Sequence, residues 1–307
     1  MSIVSTSTGA FFERARSDMK NLRTQAEGLQ AQLSSGNKLD RSSDNPVAAS
    51  RLRALDRLTS LSSIDAANAG RANSDLTLAD AAMSDMTDAL VRAQELASQA
   101  ATGTTTDEQR SSIATELDQI HGSLLSLANA RDSDGHALFG GESAGDAYQL
   151  DASGNAVYVG TPAAGELPLG EGQSVTRSMT GPEFLGFTDG SGNTTDLLAT
   201  IKGLADALKG GATDPASAAR DALGTLQTGL DTLTTGQTVV GTRLAWIELT
   251  TDRRSNLADL RSTEQADLGA TDVTSTIARL QETLLVLEAS QSSFGKLSDL
   301  SLFSMLH

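Results

Sequence analysis

Apolar side chains near the start of the chain recur at alternating steps of three and four: Phe12, Ala15, Met19, Leu22, Ala26, Leu29 and Leu33. That spacing predicts a helix over residues 9–34 with one apolar stripe. Ser34-Ser35-Gly36 ends it, the glycine supplying a left-handed cap. A second run opens at Asn45-Pro46, where Asn caps and Pro accepts the first helical position because no N–H is needed there. It continues to about Ala101 with only Gly70 inside. At ~1.5 Å per residue that is on the order of 80 Å if unbroken. Its later half keeps a clean seam of Leu76, Ala79, Met83, Met86, Leu90, Ala93, Ala97 and Ala100. Thr106-Asp107-Glu108-Gln109 then has capping-box spacing and starts a third helix, with Ile113, Leu117, Ile120, Leu124 and Leu127 on its buried side.

The pattern changes between Arg131 and about Thr195. GHALFGGESAGDAYQLDASGNAVYVGT is glycine-rich, with short β-prone pieces, Ala156–Val159 above all, between turn signals such as Ser153-Gly154-Asn155. Pro162, Pro168 and Pro182 punctuate it further. Helices return at Asp196, with Leu197, Ile201, Leu204 and Leu208 on one side, and Asp214-Pro215 repeats the Asn45-Pro46 device. The long run that follows has the seam Leu223, Leu226, Leu230, Leu233, Gln237, Val240, Leu244 and Ile247. Gly224, Gly229, Gly236 and Gly241 in it each cost ~1 kcal/mol relative to Ala, so this helix needs neighbours. A last heptad runs Val273, Ile277, Leu280, Leu284, Leu287, Gln291 and Phe294, and the tail ends on Leu300, Leu302, Phe303, Met305 and Leu306.

The expected fold is mainly α: a long helical-bundle or coiled-coil rod built from both chain ends, with a small β-rich domain, residues 136–195, inserted mid-chain. A chain that runs out and returns sets its end helices side by side and antiparallel. An ordinary helical bundle would satisfy the periodicity equally well. Two single seams with a bare apolar tail, however, cannot bury themselves in a monomer, and isolated helices are marginal without packing.

Composition narrows the function classes. Aromatic residues are 3% of the 307, which suits thin helical seams better than a thick core. The net charge is −16, unevenly spread: residues 1–60 hold nine Lys/Arg against six Asp/Glu, whereas residues 132–200 hold ten Asp/Glu and only Arg177. No dense basic stripe suits nucleic acid. There is no cysteine, so thiol chemistry and zinc ribbons are excluded. The start, MSIVSTSTGAFFERAR, lacks the regions of a secretory leader, and no apolar run approaches the ~18 residues of a membrane span. The chain is expected to be cytoplasmic, or exported without a cleaved signal.

Catalytic patterns are weak. Gly141-Glu142-Ser143-Ala144-Gly145 fits the nucleophile-elbow spacing, but its surroundings are turn signals and the only later histidine is His307. A glycine-rich turn is the better reading of Ser143. His121 and His136 do not have metal-ligand spacing, and His121, beside the apolar stripe of its helix, is expected on the surface. Asp132, Asp134 and Gly135 match part of a calcium loop whose other ligand positions are unfilled. No enzyme activity, cofactor or metal is expected.

QLSSGNKLDRSSDNPVAASRLRAL, residues 32–55, resembles the N-terminal signature of bacterial flagellins and their junction proteins. ANSDLTLADAAMSDMTDALVRAQELASQAATGTTTDEQRSSIATELDQI and the closing VTSTIARLQETLLVLEASQSSFGKLSDLSLFSML fit as well, so the resemblance spans nearly the whole chain. Three pieces look more like the hook–filament junction branch, hook-associated protein 3: Asp44–Ala49, Gly135–Gly141 and Leu300–Phe303. The resemblance implies an axial flagellar subunit required for motility. Residues 1–44 and 270–307 would form an inner coiled-coil layer, with Met19, Leu22, Leu29, Leu33, Val273, Ile277, Leu280, Leu284, Leu287, Phe294, Leu302 and Phe303 as subunit-interface residues. Residues 46–135 and 196–269 would surround it, joined through a loop carrying Gly36, Lys38, Arg41 and Pro46, and residues 136–195 would face outward. Lys38 and Arg41 could pair with acidic groups of neighbouring copies. The implied partners are copies of the chain in a ring, another hook-associated protein below, flagellin above, and a cytoplasmic export chaperone on the C-terminal helix. Export would use the flagellar type III apparatus without leader cleavage, ending outside the cell; neither nucleic acid nor membrane insertion is expected. A flagellin, or a cytoplasmic coiled-coil binding protein, is the alternative.

Overall fold

The computed structural model describes the backbone of residues 3–304 and the side chains of residues 9–297. The elements are α1 (Ile3–Ser35), α2 (Pro46–Ala100), α3 (Asp107–Ala128), β1 (Tyr148–Leu150), β2 (Ala156–Tyr158), β3 (Glu166–Gly170) and β4 (Gln173–Thr176). They continue with α4 (Gly181–Leu185), β5 (Gly186–Thr188), β6 (Thr194–Asp196), α5 (Leu197–Asp206), α6 (Pro215–Gly269) and α7 (Val273–Ser304). A wide turn, Ala207–Gly211, closes α5, and Gly210 at φ +108° lets the chain leave it. The protein is thus mainly helical, with a small strand-bearing region mid-chain. The caps at Asn45, Thr106 and Asp214 are those that the sequence predicts, and Asp196 adds another. Thr106 and Gln109 form a reciprocal capping box, and Asn45, Asp196 and Asp214 accept backbone N–H groups of the helices they open.

The chain divides into two compact units, residues 1–60 with 256–307 and residues 61–255. In the second, Leu76, Met83, Met86 and Leu90 of α2, Leu117 and Leu124 of α3, and Leu226, Leu233 and Val240 of α6 share one buried core. Phe139, Tyr148, Leu169, Phe184 and Phe187 from the strand-bearing region join it. The α6 seam is rotated from the expected one: Gly229 and Gly236 are buried, whereas Leu223, Leu230 and Gln237 are only half-buried. Close approach explains the glycines. A β-carbon at Gly236 would stand 2.7 Å from Met83 Cε and 2.8 Å from Phe184 Cβ, and one at Gly229 would collide with Leu197. Gly224 and Gly241 have nothing within 4 Å.

The strands form three separate antiparallel hairpins, β1–β2, β3–β4 and β5–β6. One five-residue device, Asp-x-x-Gly-x, turns the chain three times, at Asp132–His136, Asp151–Asn155 and Asp189–Asn193. In each, the Asp carboxylate accepts N–H groups two and four residues on. The Gly takes φ of +85°, +82° and +86° respectively. The side chain and backbone of Asn155 hold the Asp151 carboxyl below its ordinary range, and the backbone N–H of Asn193 does the same for Asp189.

Arg177, the single basic residue of the acidic stretch, is used internally. Its guanidinium donates to Asp75 of α2 at 3.0 Å and to Asp132 of the first turn at 2.7 Å, and both carboxylates are buried. Burial pushes the Asp75 carboxyl up, against the pull of Arg177. Burial also acts on Asp132, but the N–H groups of His136 and Asp134, together with Arg177, bring it below its ordinary range.

Two results follow for stability, both read by urea unfolding of the whole chain. Gly224→Ala or Gly241→Ala gains about 1 kcal/mol through helix propensity, whereas Gly236→Ala loses about 1–3 kcal/mol to overpacking. Arg177→Met leaves two buried carboxylates facing each other and costs about 3 kcal/mol or more.

Candidate assembly surface

Helices α1 and α7 pack along one another within the first unit. On α1 the half-buried or buried side chains are Phe12, Ala15, Met19, Leu22, Ala26, Leu29 and Leu33, the stripe expected from spacing, together with Gln32. On α7 the side turned to α1 is Thr276, Leu280, Thr283, Leu287, Ser290 and Phe294. Phe12 and Phe294 close the seam edge to face, with ring centroids 5.3 Å apart. Thr283 fits because its hydroxyl donates back to the Arg279 carbonyl at 2.8 Å.

The sequence-predicted interface residues of α7 therefore separate into two columns. Leu280, Leu287 and Phe294, seven residues apart, form a central column that α1 partly covers. Ile277 and Leu284 lie on its far side and are 42% and 48% exposed; Val273, at the head of the column, is also exposed. Leu285 and Val286 are exposed as well, on other sides of the helix. The side chains of Leu302 and Phe303 lie outside the described residues.

The loop residues occupy a joint between the helix pairs of this unit. Gly36 ends α1 at φ +72°. Its carbonyl accepts the N–H of Thr271 at 2.9 Å, and the Lys38 N–H donates to the Gly269 carbonyl at 2.7 Å. The Lys38 carbonyl accepts from the Gln32 side chain at 3.0 Å. Thus the α1–α2 loop and the α6–α7 turn are tied backbone to backbone. Below the tie, Arg51 of α2 grips Glu264 of α6 through two hydrogen bonds of 2.6 and 2.8 Å, and Gln265 donates to Asp56 at 2.8 Å. Glu264 is held below its ordinary range by that hydrogen bond, and the same bond, then the Glu264 charge, holds Arg51 up. Asp44 accepts the Arg41 N–H at 2.8 Å, which shapes the approach to Pro46. The side chains of Lys38 and Arg41 are exposed and form no ion pair with a described residue.

Sequence reasoning missed the Arg51–Glu264 pair and the backbone tie. Only Asp272 gave a usable signal: it precedes Val273 and caps α7 by accepting the N–H groups of Thr274 and Ser275. Ser143, at the nucleophile-elbow spacing, lies in a turn where its hydroxyl accepts the Gly145 N–H. His121, expected on the surface, is buried.

Comparison with known proteins shows which chains this one is similar to. The bacterial flagellin N-terminal helical region matches residues 7–144. The chain is 27% identical over 299 residues to flagellar hook-associated protein 3 of Escherichia coli, covering 92% of this chain and 94% of that protein. The chain thus resembles the bacterial flagellin superfamily. Flagellin B of Vibrio cholerae is 30% identical over 177 residues, but that match covers 55% of this chain and 44% of the flagellin. The fold is shared with flagellar hook-associated protein 3 of Legionella pneumophila, with a TM-score of 0.63 at 15% identity, over 70% of this chain and 98% of that one. Hook-associated protein 3 is therefore matched end to end, and the flagellin in part.

The two columns of α7 respond differently to substitution. Leu284→Gln leaves the isolated protein within about 0.5 kcal/mol of wild type, whereas Leu287→Gln loosens α1 from α7 and costs about 1–2 kcal/mol. Circular dichroism melts together with amide exchange over residues 9–35 distinguish the two outcomes.

Proposed function

We propose that this chain is a structural subunit of the bacterial flagellum, forming the hook–filament junction and required for flagellum-dependent motility. The observation that carries the reading is the half-covered apolar face of α7, on a chain that matches a hook-associated protein from end to end. Copies of the chain form a ring in which Val273, Ile277 and Leu284 of one copy meet the terminal helices of the next. Residues 1–44 and 270–307 make the inner layer, residues 46–135 and 196–269 the layer around it, and the acidic residues 136–195 face outward. A flagellin subunit is the second reading, and the partial match to Flagellin B disfavours it.

The placement implies an axial protein as neighbour below and flagellin above. Before assembly the same apolar face needs an escort, and a cytoplasmic export chaperone on the C-terminal helix supplies one. Export through the flagellar type III apparatus, with no leader removed, then delivers the chain outside the cell. Lys38 and Arg41, exposed on the joint, are placed to meet acidic groups of neighbouring copies. Exposed pairs contribute about 0–1 kcal/mol each, so apolar burial carries the assembly. Among the described residues no helix is long and apolar enough to cross a membrane. The role is architectural, without catalysis or cofactor.

The test is genetic. A null mutant is expected to make hooks without attached filaments while flagellin accumulates in the medium. Deletion of residues 297–307, or the pair Ile277→Gln and Leu284→Gln, is expected to give the same phenotype with residues 61–255 still folded. Normal motility from either variant would contradict the assignment.

A further inference from the structure

Helix α3 carries one titratable side chain into its packing against α5. His121 is 7% exposed, and its Nε2 is sealed from solvent with no hydrogen-bond partner among the described residues. Leu117 and Leu124, on the same face of α3, are buried, as are Ile201 and Leu204 of α5, the helix that α3 packs against. The charged groups that face it are Asp118 from α3, Asp196 at the β6–α5 boundary, and Lys202 and Asp206 from α5. Each carboxylate already has a donor. Asp118 is paired with Lys209 of the wide turn, Asp206 with Lys202, and Asp196 accepts the Ala199 N–H at 2.7 Å. A neutral imidazole needs one donor role, whereas an imidazolium donates from both nitrogens.

We propose that His121 is an acid-sensitive latch between α3 and α5: its protonation puts a charge with no acceptor at Nε2 into a sealed seam and releases α5, with the β5–β6 hairpin that leads into it. The direction follows from linkage. Burial, and then the nearby Lys202 charge, hold the imidazole below its ordinary value of 6.5. The unfolded chain therefore binds the proton more readily than the folded one. The stability from His121 is complete above pH 6.5 and is lost as pH falls from there through the lowered folded value. Asp196 opposes this: burial holds its carboxyl above the ordinary range, so its proton uptake favours the folded form. Changing His121 alone separates the two.

The experiment is urea unfolding of the full chain at pH 7.5, 6.5, 5.5 and 5.0, with amide exchange over residues 113–128 and 197–206 corrected for intrinsic rates. Relative to His121→Leu, the wild-type unfolding constant is expected to rise by up to about tenfold per pH unit below 6.5. The exchange gain is expected to be concentrated in α3 and α5. Lys202→Met keeps the imidazole but relieves the repulsion, so it is expected to weaken the acid response without removing it. This variant carries the test if His121→Leu does not fold. The same acid slope in wild type and His121→Leu, an unchanged slope in Lys202→Met, or exchange gains spread evenly over residues 61–255 would each overturn the latch.

Discussion

The apolar face of α7 is wider than the one helix that packs on it. An α-helix covers about one stripe of its neighbour, and α1 takes the side of α7 that carries Thr276, Thr283 and Ser290 beside the Leu280–Leu287–Phe294 column. Ile277 and Leu284 are left in water on the other side. A seam that alternates Thr with Leu buries little area, so the α1–α7 pair is weakly self-sufficient. Covering the remaining side with another copy adds the apolar burial that the pair lacks. The proposed assembly role, and the escort proposed with it, both rest on that geometry.

The second unit has the opposite character. Its core draws on α2, α3, α5, α6 and the strand-bearing region, and its inward glycines sit where side chains of α2, α4 and α5 press against α6. Even its acidic stretch is anchored from within, by Arg177 between Asp75 and Asp132. One unit closes its own core, whereas the other leaves part of its apolar face uncovered.

Periodicity made the helices legible, and side-chain chemistry made their ends legible. Asn45, Thr106 and Asp214 all cap the helices that their positions predict, because an N-cap is a local interaction within three residues. The choice between columns on α7 was not legible: Ile277 and Leu284 fit a heptad with Leu280 and Leu287 as well as Thr276 and Thr283 do, and only the position of α1 decides. Gly229 and Gly236 read as helix weaknesses until Leu197, Met83 and Phe184 were seen against them. The burial of His121 and the pairing of Arg177 were hidden for the same reason, since both depend on residues far away in sequence. The candidate assembly surface was legible as a set of apolar positions but not as an exposed side of a helix pair.

The claim that α7 is half-covered in the free chain is tested most directly by amide exchange over residues 273–297, measured on the isolated protein and on the same protein in purified flagella. Exchange is expected to be fast in the isolated chain, near that of a weakly packed helix, and slowed by at least a hundredfold after assembly. Equal and strong protection in both states would show that the chain covers its own terminal helices, and would contradict the account.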